Sequence, residues 1–180
     1  MKKFVLLIVT ILLPLLASAH GPSPQKTVKE FPLKADPAKV WALLKDFGAI
    51  DKWHPDVTAV KLETKKDTET DKELPHRLVT LKDGKTFLEK LREVDDVTMK
   101  MDYKMLEGPE STIAVSNYRT VIQVKQGANA NEAIVTMTGR YYNKANSMEA
   151  LPGMDNPTAN KAIAELYDNA IVGLKKALEK

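Results

Sequence analysis

The 180-residue chain contains no cysteine. That removes disulfide frameworks, thiol nucleophiles, thiolate metal sites and redox pairs, and leaves packing to supply the stability. Histidine is scarce, with only His20, His54 and His76 available for metal binding or proton transfer near neutral pH. Charge of one sign is also lacking: the formal net charge is +3, and no arginine-rich face or basic run suggests contact with nucleic acid. No apolar run reaches the ~20 residues that a membrane-spanning helix needs. Glycine-rich phosphate loops, serine elbows and His-Glu helix motifs are missing, and no cofactor is expected. There is no internal repeat, low-complexity tract or linker to a second domain.

What is present begins with a targeting pattern. Lys2 and Lys3 precede an apolar stretch from Phe4 to Leu16, interrupted by Thr10 and Pro14 and followed by Ala17-Ser18-Ala19. This is the pattern of a cleaved secretory signal peptide over residues 1–19, with cleavage expected after Ala19 and a periplasmic destination. Cleavage would remove two of 27 basic residues and none of 24 acidic ones, leaving a nearly neutral chain that begins at His20. A mature chain of this length suits one domain over residues 27–180, preceded by an extended lead at 20–26 and not associated with a membrane.

Val28–Ala35 reads as a first strand. Asp36-Pro37 then supplies an N-cap and a proline at the first helical position, with Val40, Leu43, Leu44 and Phe47 on one face. Ile50 to Pro55 fits a second short helical segment. Beyond Asp56 the period changes to two, giving strands around Val60–Leu62, Leu78–Lys82, Thr86–Val94, Thr98–Leu106, Val115–Lys125 and Ala133–Asn143. Asp83-Gly84 is the expected site of a two-residue type I′ hairpin turn. Asn156-Pro157 opens a long helix whose stripe is Ile163, Leu166, Tyr167, Ala170, Ile171, Leu174 and Leu178, with Gly173 as an interior weakness. The expected fold is α+β: a curved antiparallel sheet of about six to seven strands gripping a long C-terminal helix, with two short helices after strand 1.

The element order, together with Asp36-Pro37-Ala38-Lys39-Val40-Trp41, Asp46-Phe47-Gly48 and Trp53-His54-Pro55, resembles the START-like superfamily, specifically its polyketide cyclase and dehydrase-like members. Within that group, His20–Lys26, Lys52–Pro55 and Leu81–Gly84 are similar to the MxaD-type periplasmic proteins of methylotrophic bacteria. The resemblance implies a helix-grip fold and a non-catalytic accessory role in methanol oxidation, with methanol dehydrogenase and its cytochrome c acceptor as partners. It also places Trp53, His54, Pro55 and Asp56 at a cavity entrance or partner contact.

Several residues carry alternative readings. His20 could chelate copper through its free amine and imidazole after cleavage, or it is a solvated terminus. His54 is a site residue or a surface cap, and His76 an exposed residue at a strand start. Met99, Met101, Tyr103, Tyr118 and Met137 are candidates to line a cavity between sheet and helix, or ordinary core. Tyr141 and Tyr142 could add hydroxyls there. Asp95, Asp96, Glu107 and Glu110 read as turn residues, and Lys61, Lys65, Lys66 and Lys72 as a charged patch or a solvated loop. Besides the accessory role, the sequence leaves open a carrier of a small hydrophobic ligand, and a cyclase or dehydratase-like enzyme that would need polar groups converging inside the cavity.

Overall fold

The computed structural model describes residues 21–179. The expected signal peptide, its cleavage site and His20 lie outside the described residues. Seven strands form one sheet: β1 Gln25–Leu33, β2 Val57–Lys66, β3 Glu73–Leu81, β4 Thr86–Asp95, β5 Lys100–Met105, β6 Val115–Gln126 and β7 Ala133–Asn143. Their spatial order is β1-β7-β6-β5-β4-β3-β2, with every neighbouring pair antiparallel. Strands β2 to β7 are therefore a meander, and β1 returns to close against β7. Register shifts at Val57/Ala59, Leu91/Glu93 and Ser116/Arg119 bend the strands so that the sheet wraps one face. On that face lies α2, Asn156–Leu178, which buries Ile163, Tyr167, Ala170 and Leu174.

The local signals act as the residues dictate. Asp36 Oδ1 accepts from the Ala38 amide at 2.7 Å and caps α1, Pro37–Leu44, which buries Val40, Trp41 and Leu44. Ile50–Lys52 closes a single 3-10 turn rather than a second α-helix. The cap of α2 is Asp155, one residue before the expected Asn156, and it accepts from the Thr158 amide at 3.0 Å.

Other expectations need correction. Gln25 and Lys26, read as unpaired lead, pair with Tyr141 and Arg140 in the sheet. The turn at Asp83-Gly84 is not type I′: only Gly84 has positive φ, and Leu81 bonds to both Gly84 and Lys85, giving a three-residue loop with a glycine bulge. Met99 has a φ of 48° and drops out of the β5 alternation. Asp102, on the face of β5 turned away from α2, is buried beneath the guanidinium of Arg119, with Arg92 at 3.5 Å. Asp67, in the loop between β2 and β3, is also buried, and hydrogen bonds from Lys90 and Thr70 hold its carboxyl down at about 2. His76 is buried within β3, between Glu63 of β2 and Lys90 of β4 in the register, with Nδ1 2.9 Å from the Leu74 carbonyl.

Candidate ligand site beneath the C-terminal helix

Residues Trp53 to Asp56 cross α2 as a strap, and Gly173 makes that crossing possible. A Cβ at position 173 would lie 1.9 Å from the Trp53 carbonyl oxygen and 2.7 Å from Pro55 Cδ. The glycine read as a weakness in the helix is the seat of the strap. His54 is buried rather than a surface cap. Its Nε2 is 3.0 Å from the Leu166 carbonyl and its Nδ1 accepts from the Asp56 amide at 3.3 Å, so the proton sits on Nε2 and is donated to the helix. Burial holds its pKa below the ordinary histidine value, keeping it neutral at neutral pH. Asn169 Nδ2 donates to Asp56 and fastens the far end of the strap.

Inside the strap lies a small cavity of about 20 Å³, room for about one water molecule. Trp53, Tyr103, Tyr118, Tyr167, Met137, Arg77 and Glu89 are among its walls. Trp53 is 4% exposed, and its Nε1 is the one buried side-chain polar atom among the described residues without a hydrogen-bond partner. Arg77 and Glu89 are each 1% exposed. Arg77 Nε donates to Glu89 Oε2 at 2.7 Å and Nη1 donates to the Phe47 carbonyl at 2.7 Å, while the guanidinium carbon stands 4.1 Å from the Phe47 ring centroid and 4.8 Å from that of Tyr103. Burial pushes the Glu89 carboxyl above its ordinary range, opposed by the Arg77 charge. Tyr118 donates to the Tyr167 oxygen at 3.2 Å, and Thr120 shares a hydrogen bond with the same oxygen at 3.1 Å. Burial raises the phenols of Tyr103, Tyr118 and Tyr167, the last to about 12, so they act as neutral hydroxyls.

Outside the strap a larger groove of about 520 Å³ runs between the first half of α2 and the β3–β4 turn, with Ile113, Ile163, Ala162 and Leu166 on its apolar side. Leu166 lines both spaces and is a wall residue they share. The site has an outer groove of mixed charged and apolar lining and a small inner, mainly apolar cavity that holds the Arg77–Glu89 pair in its wall.

Of the residues singled out in the sequence, Trp53, His54, Tyr103, Tyr118 and Met137 meet at the inner cavity, and Asp56 lines the outer groove. Met101 is core without lining the cavity, Met99 only packs against that core, and Tyr142 lies on the outer face of the sheet. Tyr141 points to the start of α2, where it bonds Thr27 and Asn160. Sequence reasoning missed Arg77 and Glu89. The available signal was parity: Glu89 falls between Phe87 and Leu91 on the inward face of β4. Among the described residues no group of three or more His, Asp or Glu is arranged to hold a metal ion, and no helix is long and apolar enough to cross a membrane.

The model for the family described as polyketide cyclase / dehydrase and lipid transport matches residues 24–179. No curated protein matches the chain. Among solved structures, XoxI from Bacillus cereus superposes with a TM-score of 0.68 at 24% identity, covering 86% of this chain and 96% of that one. An uncharacterised protein from Bacillus thuringiensis gives 0.67 at 22% identity, covering 87% and 100%. A START superfamily protein from Mycobacterium smegmatis gives 0.64 at 11% identity, covering 86% and 97%. These likenesses are of fold, the START-like helix grip. The family match spans nearly every residue of the sheet and both helices: the chain belongs to the polyketide cyclase / dehydrase and lipid transport family.

Proposed function

We propose that the protein binds a small, mainly apolar molecule between sheet and α2, with its polar end directed into the inner cavity. The observation that carries this reading is the buried, unpartnered Nε1 of Trp53, a residue that shares the walls of the inner cavity with Arg77 and Glu89. A buried N–H without an acceptor is costly, and a ligand carbonyl or hydroxyl oxygen would remove that cost. The inner cavity is too small for such a ligand until Leu166 swings aside and joins it to the groove. Binding is favoured over catalysis by the occupied state of the reactive groups: both His54 nitrogens are engaged, Glu89 is paired with Arg77, and the tyrosines are neutral.

The test is thermal stabilisation by decan-2-one against decane. Stabilisation by the ketone, strengthened in Leu166→Ala and lost in Trp53→Phe, is expected. Equal stabilisation by decane, or none by either in both the native protein and Leu166→Ala, would exclude the reading.

A second reading follows the MxaD-type resemblance: an exported, non-catalytic accessory that helps methanol dehydrogenase engage its cytochrome c. The loop between β7 and α2 favours a protein contact, because Met148, Leu151 and Met154 are 55%, 75% and 44% exposed there. Replacing all three with serine should abolish co-purification with either partner from the host periplasm while leaving ketone binding intact.

A further inference from the structure

The register of the sheet carries an observation unrelated to the α2 site. Lys26 of β1 lies opposite Arg140 of β7, Arg140 opposite Arg119 of β6, Arg119 opposite Lys104 of β5, and Lys104 opposite Lys90 of β4. Five cations on five adjacent strands thus form one row. Their chain neighbours Tyr103, Tyr118 and Gly139 face α2, so the row lies on the other side of the sheet. At about 4.8 Å per strand it is about 19 Å long. Like charges directly opposite one another on a sheet are unfavourable, so this row is not a device for stability.

Part of the charge is held in place. Lys90 bonds Asp67 at 2.6 Å and Glu69 at 2.8 Å, and the buried Asp102 carboxylate holds Arg119 and stands 3.5 Å from Arg92. Glu69 also reaches Lys104 at 4.0 Å. With Arg92 added, six cations meet three carboxylates, and among the described residues Arg140 and Lys26 have no ion-pair partner. Arg92, Lys104, Arg119 and Arg140 line an open dish of about 470 Å³ together with Tyr142, Asn117 and a single carboxylate, Glu69.

We infer that this outer face of the sheet docks the acidic surface of a protein partner. The chain as a whole carries little net charge, so the attraction is local to this row. A small anion is a poorer match, since pockets for small ligands enclose most of the ligand surface and this dish lies open beside an exposed Arg119 and Arg140. The row is also longer than one phosphate group. The buried Asp102 is a positioning residue, aiming two guanidinium groups at the same surface.

The probe is a fluorescein-labelled octaglutamate peptide, titrated into the protein at low and moderate salt and followed by anisotropy. Arg140→Glu with Lys104→Glu should weaken binding by at least about tenfold, and added salt should weaken the native interaction steeply. Lys175→Glu with Lys176→Glu on α2 changes the net charge equally and should alter binding less than about twofold. The reversed-charge residues would face Arg119, Lys26 and Lys90, which offsets the loss of the exposed Lys104–Glu69 contact, so that variant should melt close to the native protein, which separates lost binding from lost folding. No binding by the native protein, equal losses in both double variants, or tighter binding of pyrophosphate or phosphatidylglycerol vesicles than of the peptide would overturn the inference.

Discussion

Replacing Gly173 with alanine sets two physical effects against each other. In an exposed helix interior that change adds about 1 kcal/mol of stability, because alanine loses less backbone freedom. At position 173 the new methyl would lie 1.9 Å from the Trp53 carbonyl oxygen and 2.7 Å from Pro55. The nearest atom is backbone, so no side-chain rotation relieves the overlap, and the strap must retreat by more than about 1 Å to restore normal contact. Retreat stretches the His54–Leu166 hydrogen bond, worth about 1 kcal/mol, and loosens the packing of the buried Trp53. Overpacking of this kind costs about 1–3 kcal/mol. Adding the weakened hydrogen bond to the overpacking cost and subtracting about 1 kcal/mol of helix gain, Gly173→Ala should lower stability by about 1–3 kcal/mol, or about 2–10 °C in melting temperature. Urea unfolding followed by tryptophan fluorescence measures it, since Trp53 sits in the strap itself. A variant as stable as the native protein, or more so, would refute the reasoning.

His54 gives a pH dependence of known sign. Its folded pKa lies below the unfolded value, so the unfolded chain takes up the proton first and stability is lost as pH falls below about 6.5. His54→Gln should flatten the fall in urea midpoint between pH 7.5 and 5, and an unchanged slope would count against a buried neutral histidine. Arg77→Met leaves Glu89 buried without its partner and should cost about 3–5 kcal/mol in urea unfolding, whereas Arg77→Met with Glu89→Leu should recover most of that loss. If the double variant is as damaged as the single, the ion pair is not the unit that matters. Leu166→Ala should speed ketone association in stopped-flow fluorescence, because it removes the wall side chain that groove and cavity share.

Local signals in the chain were sufficient for much of this fold. Asp36-Pro37 states its own cap and first turn, the period-two runs state their strands, and Ile163 to Leu178 states the face of α2. These features depend on residues a few positions apart. The order β1-β7 could not be read that way, since it joins strands more than a hundred residues apart. The strap failed for the same reason. His54 and Leu166 are separated by 112 residues, and Gly173 reads as a weak helix former until the Trp53 carbonyl is placed against it. Arg77 and Glu89 were obscured because a charged residue on an inward parity suggests a register error when its partner on the next strand is unknown. The cationic row needed four pairings at once, and no single strand is unusually basic.

The central claim concerns the polar end of the ligand, and the protein's two tryptophans make it directly measurable. Trp41 Nε1 donates to Asp96 at 2.7 Å, while Trp53 Nε1 has no partner. A ¹H–¹⁵N spectrum of the indole N–H groups, assigned with Trp53→Phe and recorded during titration with decan-2-one, reports each separately. The account predicts a large saturable downfield shift of the Trp53 resonance as its proton finds an acceptor, with Trp41 unmoved. Ligand binding that leaves the Trp53 resonance in place, or shifts only Trp41, would contradict it.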